Sequence, residues 1–131
     1  MNLEAALYMI PVSISDAAPS DFIPAGNIGI VAGIRHFIVE NVRTARRFLR
    51  RCDPSFPIGD CTFCELNGHT DPDEIHSFLE PLRKGQPVGM MSEAGCPGVA
   101  DPGASVAAIA QREGLKTVPL AGPSSILMSL M

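Results

Sequence analysis

Five short apolar runs, separated by longer segments of helical period, constrain this chain more than any other feature of its sequence. They are residues 6–10 (ALYMI, closed by Pro11), 36–39 (HFIV), 62–66 (TFCEL), 88–91 (VGMM) and 117–120 (TVPL). Runs this short fit buried strands better than helices. The intervals read mostly as helices. Over 24–34 the period is weak, because Gly26, Gly29 and Gly33 interrupt it. Over 43–52 it is clear: Ala45, Phe48, Leu49 and Cys52 share one face and arginines fill the rest. A third helix is expected from Asp71-Pro72, with aspartate as N-cap and proline at the first helical position. It would bury Ile75, Phe78, Leu79 and Leu82 and end at Gly85. A fourth follows Pro102-Gly103 and stops at Gly114, and Ser124 or Ser125 would start a fifth.

Strand alternating with helix through five strands predicts an α/β fold: a single three-layer domain with a five-stranded, mostly parallel sheet and helices on both faces. A chain of 131 residues suits one such domain. Sheets of this kind bind ligands at the carboxyl ends of their strands, where the direction of winding switches.

Charge and cysteine content narrow the setting. A formal net charge of −4 excludes bulk electrostatic coating of nucleic acid, yet six of the ten basic residues lie between Arg35 and Arg51. The helix carrying Arg43, Arg46, Arg47, Arg50 and Arg51 has two readings, a grip on RNA phosphates or a solvated face. The first residues carry Glu4 and no basic cluster, so they do not read as a signal peptide. No apolar run is long enough to span a bilayer, so no membrane partner is expected. Cys52, Cys61, Cys64 and Cys96 then read as reduced thiols in a cytoplasmic protein. Cys61-Thr62-Phe63-Cys64, even with Cys52, His69 and His76 nearby, lacks a second matching pair, and no metal site is expected.

Three segments that leave the strands are rich in glycine, proline and small polar residues: 11–16 (PVSISD), 92–103 (SEAGCPGVADPG) and 121–125 (AGPSS). Glycine permits close backbone approach to a ligand, proline stiffens the loop, and amides at a following helix start suit a carboxylate. Such loops would seat a flat heterocycle with a charged tail. The middle segment exceeds the roughly two to six residues usual for such connections, which points to function.

Residues 92–125 resemble the tetrapyrrole (corrin/porphyrin) methylase family, most closely its branch that methylates small-subunit ribosomal RNA. That branch reads S-D-A-G-T-P-x-I-S-D-P-G, a helix, then V-P-L-P-G-P-S-A; here the segments are SEAGCPGVADPG and VPLAGPSS. Upstream, Leu7-Tyr8-Met9-Ile10-Pro11 is similar to the family's first strand, and residues 40–47 (ENVRTARR) to its E-D-T-R-H-T-R-R segment. The resemblance implies S-adenosylmethionine as cofactor, held in a cleft between two α/β domains. Residues 1–131 would be the N-terminal domain, with the C-terminal domain absent from this chain. It implies cofactor contacts at Ile14, at Gly95 and Cys96 of the Gly95-Cys96-Pro97 turn, at Val99, and at Ser124 and Ser125. Cys96 replaces a usual Asp or Thr, and the first loop lacks the glycine and asparagine of the family's P-T-P-I-G-N-L-G-D.

The methyl acceptor implied is an RNA ribose or a tetrapyrrole. Transfer from a sulfonium chiefly requires alignment of the reacting atoms and exclusion of water. A ribose hydroxyl would also profit from a base, and Glu40, at the exit of the second strand, is the candidate. By itself the domain is expected to bind cofactor weakly and to be inactive, unless a homodimer completes the cleft. A non-catalytic nucleotide- or metabolite-binding module is the alternative.

Overall fold

The five apolar runs are five strands. The computed structural model describes residues 3–11, 25–67, 70–91 and 103–120. Its strands are β1 (Leu7–Ile10), β2 (His36–Val39), β3 (Thr62–Glu65), β4 (Val88–Met91) and β5 (Thr117–Pro119). They form one sheet in the order β3-β2-β4-β1-β5, and every neighbouring pair is parallel. The helices are α1 (Ala25–Ala32), α2 (Val42–Cys52), α3 (Pro72–Ser77), α4 (Glu80–Arg83) and α5 (Gly103–Arg112), with a 3₁₀ turn at Ile58–Asp60.

Side chains alternate across the sheet, as strand geometry requires. Tyr8, Ile10, Phe37, Val39 and Met91 point to one face, where they pack with Val31 of α1 and with Ala45, Phe48 and Leu49 of α2. Leu7, Ile38, Val88 and Met90 point to the other and pack with Leu79, Leu82 of α4, and Val106, Ile109 and Ala110 of α5. The domain therefore has three layers. Gly89 pairs with Tyr8 and Phe37, and a β-carbon there would stand 2.6 Å from Ile10 Cδ1 and 3.1 Å from Phe37 Cδ1. Those two side chains close over the central strand because no side chain rises between them.

Local signals set the element ends. Asn41 caps α2, its side-chain oxygen accepting from the Thr44 amide at 3.0 Å. Asp71 caps α3 by accepting from the Asp73 amide at 2.9 Å, with Pro72 in the first turn. Gly85 and Gly114, which follow α4 and α5, adopt φ of 87° and 72°, values that favour glycine. The single helix expected from Asp71-Pro72 to Gly85 is instead two, α3 and α4. Pro81 is the physical reason: it has no N–H to give the Ser77 carbonyl, and its ring crowds that oxygen. Ile75 and Phe78 are only half-buried, while Leu79 and Leu82 are buried as expected. Arg83 rejoins the pieces. Its guanidinium forks onto Glu113 at 2.8 and 2.7 Å and also donates to Glu80 and to the His76 carbonyl, both at 2.8 Å. The weakly periodic stretch over 24–34 does contain a helix, α1, whose Gly26 and Gly29 lie on its open side.

Candidate functional site

In a parallel sheet every carboxyl end lies on one edge, and here that edge is where the chain enters the three glycine- and proline-rich segments. They begin after β1, β4 and β5. These strands are adjacent, with Ile10 opposite Met91 and Met9 opposite Pro119. At about 4.8 Å between strands, the three points of departure span about 10 Å, comparable with the width of a small-molecule pocket.

Winding direction reverses at the same place. From β1 the chain moves through α1 to β2 and then through α2 to β3, both helices on one face. From β3 it returns through α3 and α4 to β4 and continues through α5 to β5, on the opposite face. Neighbours β1 and β4 thus send their connections to opposite sides of the sheet, which opens a crevice between them at the carboxyl edge. The strand ends there are buried, with Pro11 fully so and Met91 2% exposed.

Glu40 stands on the rim of this crevice. It directly follows β2, is half-buried, and its amide donates to the Met91 carbonyl at 3.2 Å, which places it beside the start of the 92–102 segment. Of the residues expected from sequence to serve the site, it is the one inside the described part of the chain. Ile14, Gly95, Cys96, Val99, Ser124 and Ser125 lie outside the described residues, as does the fifth helix expected from Ser124 or Ser125.

Two rim residues hold α2 in place. Asn41, where the family pattern has aspartate, is the N-cap, a role either residue fills. Glu65, at the end of β3, was not singled out by sequence. Its carboxylate accepts from the Val42 amide at 3.2 Å, a favourable position for an anion at a helix start. Only the pairing of β3 with β2 brings Glu65 there, so no local signal could have found it.

The described thiols and histidines sit elsewhere. Burial pushes Cys52 up to about 11 and raises Cys61 and Cys64 as well. Cys61 also donates to the Pro57 carbonyl, at 3.4 Å. His36 pairs with Thr62 Oγ1 at 2.7 Å, at the opposite, amino end of the strands, and His76 is on α3. Among the described residues no three His, Cys, Asp or Glu side chains gather as metal ligands, and no helix is long and apolar enough to cross a membrane.

No family model matches the chain. Individual proteins do. A ribosomal RNA small subunit methyltransferase I from Vibrio cholerae serotype O1 is 27% identical over 124 residues, covering 95% of this chain and 40% of that protein. One from Escherichia coli O157:H7 is 26% identical over 129 residues, covering 98% and 42%. One from Borrelia garinii is 32% identical over 98 residues, covering 75% and 42%. The chain is similar to these proteins over most of its own length. It spans about two-fifths of the length of the curated relatives it matches, 40–42% for these three. The likeness read from the strand-exit motifs therefore extends along most of the chain.

Proposed function

We propose that this chain is the cofactor-binding part of an S-adenosylmethionine-dependent methyltransferase whose acceptor is ribosomal RNA. One observation carries the proposal: three loops of the composition suited to a nucleoside leave from adjacent strands at the edge where winding reverses. The names of the relatives support the reaction class and the acceptor.

The described rim fits the group. Half-buried Glu40, beside the carboxyl ends of β2 and β4, offers a carboxylate to a cationic centre or a hydroxyl. When bound, S-adenosylmethionine supplies a methyl group activated by its sulfonium leaving group. The contribution of the chain is to orient and to exclude water: Ile14, Val99 and the Gly95-Cys96 backbone around the cofactor, Ser124 and Ser125 as hydrogen-bonding partners. Glu40 would accept the proton that an attacking ribose hydroxyl releases as its oxygen bonds to the methyl carbon.

Amide chemical shifts during titration with S-adenosylmethionine test this, because they register weak binding. Saturable changes should centre on Glu40, Met91 and Leu120. Perturbation confined to the amino edge around His36 and Thr62, or none at all, would refute the proposal. A tritiated-methyl transfer assay with small-subunit ribosomal RNA and a tetrapyrrole in parallel separates the acceptors. Transfer to either acceptor would exclude the non-catalytic module.

A further inference from the structure

The exposed face of α2 carries four of the ten basic residues of the chain. Arg43, Arg46, Arg47 and Arg50 are all exposed and spaced i, i+3, i+4, i+7, which puts them in one stripe opposite the buried Ala45, Phe48 and Leu49. They line a shallow open groove together with Val42 and Arg51. No acidic residue occurs within α2, although the chain has 14.

Two of the other cations are neutralised. Arg83 holds Glu80 and Glu113, and Lys116 holds Glu4 at 2.8 Å. Among the described residues, by contrast, no ion pair joins Arg43, Arg46, Arg47 or Arg50 to a carboxylate. A solvated helix face ordinarily interleaves both signs, because like charges three and four positions apart destabilise the helix. Here that repulsion is accepted five times over, between Arg43 and Arg46, Arg43 and Arg47, Arg46 and Arg50, Arg47 and Arg50, and Arg47 and Arg51. The helix is kept in place from elsewhere, by the Asn41 and Glu65 caps and by its buried face. Arg46 is also set in position, its guanidinium 5.5 Å from the centre of the Phe63 ring.

We propose that this stripe is a track for the phosphodiester backbone of single-stranded RNA. Arginine forks match phosphate oxygens, and from Arg43 to Arg50 the stripe runs about 10 Å along the helix axis, room for about three successive phosphates. The Arg43 end adjoins the carboxyl edge of the sheet, since Asn41 and Glu40 follow β2 directly. A strand lying on the track would therefore lead to the crevice between β1 and β4. That direction rests on reading the crevice as the methylation site; the binding itself does not.

The test is the salt dependence of binding of a fluorescein-labelled single-stranded oligouridylate to the 131-residue chain, by anisotropy. With about three phosphates neutralised, affinity should fall about 20-fold between about 50 and 200 mM salt. The variant Arg43→Gln/Arg47→Gln/Arg50→Gln, which keeps the Arg46–Phe63 contact, should bind more weakly at low salt and lose only about threefold over the same range. Replacing the same three by lysine should restore the steep dependence. A control of equal charge change elsewhere, Lys84→Gln/Arg112→Gln/Lys116→Gln, should leave it unaltered. Glutamine is a good helix former, so the variant should keep its circular dichroism and melt no lower than wild type. The track is overturned by absence of RNA binding at low salt, by an unchanged slope in the glutamine variant, or by an equal loss in the control. It is likewise overturned if polyglutamate competes as well as RNA. Should the cofactor titration fail while the RNA result stands, the methylation reading falls and the track remains.

Discussion

Substituting Gly89 by alanine is the sharpest probe of how the central strand is packed. The new methyl would stand 2.6 Å from Ile10 Cδ1 and 3.1 and 3.2 Å from two carbons of the Phe37 ring. Ile10 and Phe37 are each 1% exposed, so neither has open space to move into. Ile10 Cδ1 is the tip of a flexible side chain and can swing; the ring must give by a few tenths of an ångström. Overpacking of this kind costs about 1–3 kcal/mol, offset by about 0.4–1 kcal/mol from the reduced entropy of the unfolded chain. The net loss should be about 1–2 kcal/mol. With an unfolding entropy of about 2.1 cal/mol/K per residue, that lowers Tm by about 4–8 °C. Ile10→Val removes the carbon in closest conflict and by itself costs about 0.5–1.5 kcal/mol. If the geometry is right, the double variant recovers about 1 kcal/mol relative to the sum of the two. Urea unfolding of the four proteins of the cycle measures this. Additivity within about 0.5 kcal/mol, or a neutral Gly89→Ala, would refute the packing argument.

Two further outcomes follow from the same structure. Gly29→Ala should have the opposite sign, because a β-carbon there meets nothing within 4 Å and the residue is helical. A gain of about 0.5–1 kcal/mol is expected in thermal unfolding, and a loss would mean that the open side of α1 is covered. Arg83 holds the carboxyl of Glu113 below the usual carboxylate range, chiefly by donating hydrogen bonds to it. Between the folded and unfolded values the folded chain binds fewer protons, so this contribution is complete above the unfolded value of about 4.3 and fades as pH falls through the depressed one. Glu113→Gln should therefore be less stable than wild type at neutral pH, and the difference should close below about pH 4; a gap that persists in acid would contradict the ion-pair origin.

Much of the architecture was legible because its signals are local. Strands β2 and β4 occupy the apolar runs read from sequence, and the other three differ by one residue at an end. The Asp71 cap and the glycines after α4 and α5 likewise act through their own neighbours in the chain. The helix over 72–85 was read as one because apolar spacing persists through Pro81, whereas the missing N–H breaks the ladder regardless of spacing. Over 24–34 the reverse occurred: glycines diluted the pattern, yet Val31 and Ile34 still bury fully enough to hold α1 on the sheet. Within the site, Glu40 was visible as the residue leaving a strand, while Glu65 was not, since its partner Val42 is 23 positions away.

Sequence by itself determined the five strands and most of the helices, the parallel class of the sheet and the composition of the segments that leave it, because periodicity, capping and turn chemistry are properties of neighbouring residues. Tertiary structure decided the order β3-β2-β4-β1-β5, the faces on which the helices lie, and hence that β1, β4 and β5 open side by side at one edge. It also decided that, among the described residues, no ion pair joins Arg43, Arg46, Arg47 or Arg50 of α2 to a carboxylate. These depend on which apolar faces meet across long stretches of chain, and a pattern of period two or 3.6 specifies that a face is buried without specifying against what.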